Sequence, residues 1–88
     1  MRKQERQVLE SAINIVNGVI EDELEHEKAN TKFCILYLNN TIDNLIGYAS
    51  IQYRFAGMKD KDHDEFLKTV IEFKNLMYDK INNTIKDL

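Results

Sequence analysis

The chain has 88 residues, which is enough for one small domain and too few for two. Its composition, 43% apolar and 31% charged with three Gly, no Pro and one Cys, argues against Gly-rich phosphate loops, β-sandwiches and disulfide frameworks. A net charge of -3 argues against binding to duplex nucleic acid, because neutralising phosphates requires a clustered excess of Lys and Arg.

The first predicted element is a helix over about residues 4–28. Its apolar residues recur at steps of three and four, the spacing of one helical face. They are Val8, Leu9, Ala12, Ile13, Val16, Val19, Ile20 and Leu24.

A second helix is predicted over about residues 31–56. Asn30 or Thr31 can cap its first turn with a side-chain oxygen, and Gly57 ends it because glycine readily adopts the left-handed conformation. Its seam alternates steps of three and four: Ile35, Leu38, Ile42, Leu45, Ala49, Gln52 and Ala56.

The third helix is predicted over about residues 62–87, where Asp62 and Glu65 have the spacing of a capping box. Three helices of about 25 residues with short turns predict one all-α domain over residues 1–88, an antiparallel up-down-up three-helix bundle. A chain of this size has a limited core, so we expect a dimer or a higher oligomer. The apolar face of the third helix comprises Phe66, Leu67, Val70, Phe73, Met77, Tyr78, Ile81, Ile85 and Leu88.

The middle helix is unusual because it is nearly uncharged and carries a second apolar strip, here called the aromatic stripe. One interpretation is that the two strips pack against the two other helices. The other is that the aromatic stripe exceeds what the bundle can cover and binds a second copy or another protein. The aromatic stripe consists of Phe33, Tyr37, Tyr48, Ile51 and Phe55.

An acidic segment ends the first helix, where the helix dipole disfavours negative charge. It is either a solvated helix end or a patch for a basic protein surface, and this acidic patch consists of Glu21, Asp22, Glu23 and Glu25. Within the same segment, Glu23 and His26 form the Glu-x-x-His pair of di-iron bundles, and Glu27 lies one turn from Glu23. A metal-binding bundle is therefore the third hypothesis.

A basic cluster near the second turn supports a different alternative. Arg54, Lys59 and Lys61, with Tyr53 beside them, are suited to an anionic ligand such as a nucleotide at a subunit interface. The sequence contains no catalytic arrangement, and we interpret Cys34 as a small buried residue rather than a nucleophile.

No signal peptide and no apolar run of about 18 residues is present, so we expect a cytoplasmic protein outside the membrane. The leading hypothesis is a small non-enzymatic interaction protein that binds another protein through the aromatic stripe and the acidic patch. Its Asn-, Lys- and Ile-rich composition associates it with inhibitors or regulators of phages and mobile elements. No cofactor is expected.

Overall fold

The computed structural model describes residues 1–86, which form three helices and, within that range, no strand. Helix α1 spans Lys3–Leu24, α2 spans Thr31–Phe55 and α3 spans Asp60–Lys86. Each helix packs against both of the others, which confirms the predicted three-helix bundle. The bundle is slender, with Cα extents of 46 × 17 × 17 Å. The predicted end of the third helix at residue 87 and the apolar Leu88 lie outside the described residues.

The core is built from one apolar stripe of each helix, together with a residue from the second turn. Burying a side chain as large as Leu or Phe contributes about 1.5 to 3 kcal/mol, so these stripes supply most of the stabilisation. Cys34 is fully buried among them, as predicted. The buried apolar residues are Leu9, Val16 and Ile20; Cys34, Leu38, Ile42, Leu45 and Ala49; Met58; and Phe66, Val70, Phe73, Met77 and Ile81.

The two ends of α2 are set by Asn30 and Gly57, as the sequence predicted. The Asn30 side chain accepts a hydrogen bond from the Phe33 N–H at 2.9 Å, which caps the first turn. Gly57 has a φ of 75°, a conformation that any residue with a Cβ adopts only with strain. The turn it permits folds Met58 back into the core, where its N–H donates to the Gln52 carbonyl at 3.0 Å.

Helix α1 ends at Leu24, four residues before the predicted end. Its last turn holds carboxylates and no basic residue, so the helix dipole opposes continuation. The Glu23 carboxylate instead accepts a hydrogen bond from the Asn30 N–H at 2.9 Å. That bond holds the chain in the turn between α1 and α2.

Helix α3 begins at Asp60, two residues before the predicted start, because the His63 N–H donates to the Lys59 carbonyl at 2.9 Å. Asp62 therefore lies inside the first turn, and its carboxylate pairs with the Met1 amino group at 3.0 Å. The capping box predicted for Asp62 and Glu65 is accordingly wrong.

The N-terminal residues connect α1 to the end of α2, a role that the sequence did not suggest. The Arg2 guanidinium donates to the Ala56 carbonyl at 2.7 Å and to the Gln52 side chain at 3.3 Å. It also pairs with the fully buried Glu5, whose carboxylate accepts from the Arg2 N–H at 3.2 Å. These bonds satisfy a carbonyl at the C-terminus of α2 and fix the antiparallel register of α1 against α2.

Candidate protein-binding face

The aromatic stripe lies on the side of α2 opposite Asn39 and Tyr53, which bond to Tyr78 and Asp60 of α3. It therefore lies on the side nearer α1, and the bundle covers only part of it. Tyr37 and Tyr48 are half-buried and pack against the core. Phe33, Ile51 and Phe55 have 41%, 57% and 82% of their surface exposed. Packing against a neighbouring helix, the simpler of the two interpretations, therefore accounts for the two tyrosines and leaves the other three side chains in water.

The two half-buried tyrosines support the exposed members of the stripe. The Tyr37 ring stacks on the Phe33 ring with centroids 5.8 Å apart, and the Tyr48 ring lies 5.8 Å from that of Phe66 in α3. The Tyr48 hydroxyl is buried without a hydrogen-bond partner among the described residues. The stripe is therefore fixed to the core at two points along α2.

Ile15 of α1 extends this exposed apolar surface, and the sequence analysis missed it. It is 60% exposed and lies away from Asn17 and Glu21, which contact Lys80 of α3, so it lies on the side of α1 nearer α2. Helix α1 has no charged residue from Ser11 to Ile20. We call Ile15 together with the aromatic stripe the α1–α2 face. Ile15 could have been found in the sequence, because it is an apolar residue outside the core periodicity in an uncharged part of α1.

The acidic patch is only partly free. Glu21 pairs with Lys80, and the hydrogen bond and charge of that ammonium lower the pKa of Glu21 below its ordinary value. Glu23 is used in the turn, as described above. Asp22 and Glu25 are exposed and make no ion pair with the side chains of residues 1–85. Of these two carboxylates, Asp22 lies on the side of α1 that carries Ile15, whereas Glu25 lines the cleft between α1 and α3.

The structure adds no further ligand to the metal site suggested by Glu23, His26 and Glu27. His26 and Glu27 are exposed in the turn after α1, and one Glu23 carboxylate oxygen is bonded to the Asn30 N–H. Over residues 1–86 there is no group of three His, Cys, Asp or Glu side chains placed to hold a metal ion.

The residues of the proposed nucleotide site lie at the opposite end of the bundle, around the turn between α2 and α3. Tyr53, the aromatic residue for base stacking, has its ring 4.6 Å from that of His63 and donates its hydroxyl hydrogen bond to Asp60. That bond to a carboxylate raises the pKa of Tyr53. The basic cluster of Arg54, Lys59 and Lys61 is exposed, and none of its members has an ion-pair partner within the described part of the chain.

A cleft of about 460 Å³ lies between the C-terminal parts of α1 and α3, outside the sites that the sequence suggested. The Glu21–Lys80 pair occupies its wall, and Lys80 Nζ also lies 3.3 Å from Asn17 Oδ1. Glu21 and Lys80 are paired with each other, and Glu25 adds a further carboxylate to the lining. The cleft is lined by Glu21, Leu24, Glu25, Lys80, Asn83 and Thr84.

Among the described residues, none of the helices is long and apolar enough to cross a membrane. No protein-family model, curated protein sequence or solved structure matches the chain. The α1–α2 face must therefore be interpreted from its own chemistry.

Proposed function

We propose that this protein is a non-enzymatic helical interaction protein, an inhibitor or regulator that acts by covering a surface of another protein chain. The observation that carries the proposal is the exposure of Phe33, Ile51 and Phe55 along one uncharged strip of α2. Exposed apolar side chains of this kind, enriched in aromatic rings, are typical of protein-binding sites.

The physical basis of binding would be apolar burial directed by charge. Transferring a side chain such as Phe55, now 82% exposed, out of water contributes about 2 kcal/mol, which is the scale of a binding hot spot. Asp22, near the Phe33 end of the face, would orient a basic partner and accelerate association. The mechanism is steric and electrostatic, and it requires no cofactor and no chemical step.

The proposal is tested by placing a photo-crosslinking amino acid at Phe55 and, as a matched control, at Ile71. Ile71 is 54% exposed on α3 and lies outside the α1–α2 face. Specific crosslinking to a protein chain from position 55 and not from position 71 supports the proposal. Equal labelling at both positions, or none at either, contradicts it.

A thermal-shift measurement separates this proposal from its alternatives. A ligand that binds only the folded state raises the melting temperature, so nucleotides would do so for a ligand-binding oligomer and divalent metals for a metal-binding bundle. We expect neither to do so. We also place the protein in the reducing cytoplasm, on the ground that its sole cysteine, Cys34, is buried and unpaired.

A further inference from the structure

The two ends of α1 are held in the bundle to different degrees. At the N-terminal end, the Arg2 guanidinium donates hydrogen bonds to the Ala56 carbonyl and to the Gln52 side chain. The same group pairs with Glu5, whose carboxylate is fully buried. Hydrogen bonds from a charged donor are about twice as strong as neutral ones, so these contacts oppose separation of α1 from α2. The N-terminal end of α1 is therefore anchored.

The C-terminal end of α1 is held less firmly. A cleft of about 460 Å³ lies between it and the C-terminal part of α3. Glu21 and Lys80 pair across this cleft, but their side chains are 46% and 37% exposed. Water solvates both charges when such a pair breaks, so an exposed ion pair contributes little to stability. Ile20 is the last fully buried residue of α1, and the residues of the helix after it are half-buried or exposed.

The sequence of this end also disfavours the helical conformation. Gly18 lies inside the helix, where glycine favours unwinding about fivefold relative to alanine. The last turn contains Glu21, Asp22 and Glu23, and the helix dipole disfavours negative charge there. Lys80 compensates Glu21, whereas Asp22 makes no ion pair with the side chains of residues 1–85. The helix is therefore weakest from Gly18 to its end.

Detachment of this end would uncover part of the core. The Glu23–Asn30 hydrogen bond places the first turn of α2, with its fully buried Cys34, beside the end of α1. Ile20 would leave the core as well, and exposing so large an apolar side chain keeps the open state a minor one. A detached segment this short is below the about 12 to 15 residues that an isolated helix needs in water, so it would unwind.

We infer that residues 18–24 of α1 form a flap: they detach from α2 and α3 and unwind as one unit while the rest of the bundle stays folded. Opening uncovers the first turn of α2 and widens the cleft between α1 and α3. It also moves Asp22 away from the Phe33 end of the α1–α2 face. The inference goes beyond the proposed function and does not depend on it, because it concerns motion within a single chain.

Amide hydrogen exchange of the full chain tests the flap residue by residue. We expect the amides from Ile20 to Leu24 to share one opening equilibrium and to exchange about tenfold or more faster than those from Leu9 to Val16. Protection should therefore drop in a single step near Gly18. A gradual decline along the helix, which is ordinary fraying, or equal protection of the two groups overturns the inference.

Alanine at the two helical glycines separates local opening from global unfolding. Gly18→Ala should slow exchange of the flap amides about fivefold, because alanine favours the helix there. Gly47→Ala is the matched control, since residue 47 lies inside α2 and an added Cβ would meet nothing within 4 Å at either position. It should leave the flap amides unchanged and slow only the amides that exchange by global unfolding. Equal slowing of the flap by both substitutions, or none by Gly18→Ala, overturns the inference.

A reversal of charge tests the electrostatic part of the opening. Asp22→Lys should slow exchange of the flap amides about twofold or more, because the helix dipole favours a cation in the last turn. Glu10→Lys makes the same change at an exposed position in the interior of α1, beyond the reach of the dipole at the helix end, and should leave the flap unchanged. Circular dichroism shows that each variant is folded. Equal slowing by the two lysines contradicts a locally opening end.

Discussion

The three glycines provide the most direct test of the helical backbone, because the structure predicts opposite signs for the same substitution. Gly18 and Gly47 lie inside α1 and α2, and a Cβ at either position would meet no atom within 4 Å. Gly57 has equal space but a φ of 75°. A methyl group is therefore sterically free at all three sites, and only the backbone conformation distinguishes them.

Ala replaces Gly inside an exposed helix with a gain of about 1 kcal/mol, so Gly18→Ala and Gly47→Ala should each stabilise the fold by about that amount. Gly57→Ala should destabilise it by about 1 kcal/mol or more, because a residue with a Cβ is strained at positive φ. In a domain of this size, 1 kcal/mol shifts the melting temperature by about 4 to 8 °C. The difference between the two groups should thus be about 10 °C.

Urea titration followed by circular dichroism measures these changes, at a protein concentration low enough to suppress self-association. An unchanged slope of the unfolding free energy against urea shows that the substitutions change stability without changing the surface exposed on unfolding. Stabilisation by Gly57→Ala, or destabilisation by both helical substitutions, would refute the reasoning.

Three further predictions follow from individual side chains. Tyr48→Phe should stabilise the protein by about 1 kcal/mol, because it removes a buried hydroxyl without a partner; a loss of stability in urea would show that the hydroxyl is hydrogen-bonded. Lys80→Met should return the lowered pKa of Glu21 toward its ordinary value, and carboxyl NMR titration measures it. Glu21 has a lowered folded-state pKa, so its contribution to stability is present above the unfolded pKa and is lost as pH falls through the folded pKa. The stability of the variant should therefore differ from that of the wild type at pH 7 and become equal to it in acid. Arg2→Ala should cost about 2 kcal/mol through its bonds to buried Glu5 and to Ala56, and equal stability in thermal unfolding would contradict that role.

The periodicity of apolar residues predicted the helices and most of the core, because an amphipathic helix must bury one face. It failed where side-chain contacts between distant residues decide the outcome. Glu5 lies on the core side of α1, four residues before Leu9, but no acid is assigned to a core by pattern alone. Its burial depends on Arg2, whose other partners, Gln52 and Ala56, are 50 and 54 residues away in sequence.

The binding face was predictable only in part. The excess of aromatic residues on α2 was visible in the sequence, but which of them the bundle covers depends on the crossing of the helices. Tyr48 packs on Phe66 while Phe55, seven residues later on the same stripe, contacts little. The exposure of Ile15 likewise follows from the position of α1 relative to α2.

The burial of Cys34 gives the protein a built-in reporter of its own opening. Burial raises the pKa of this thiol, so the reactive thiolate is scarce and shielded from reagents in the folded state. A thiol reagent can then react only when the bundle opens around the first turns of α2. Labelling rates of the unmodified chain thus measure how often that end of the bundle opens.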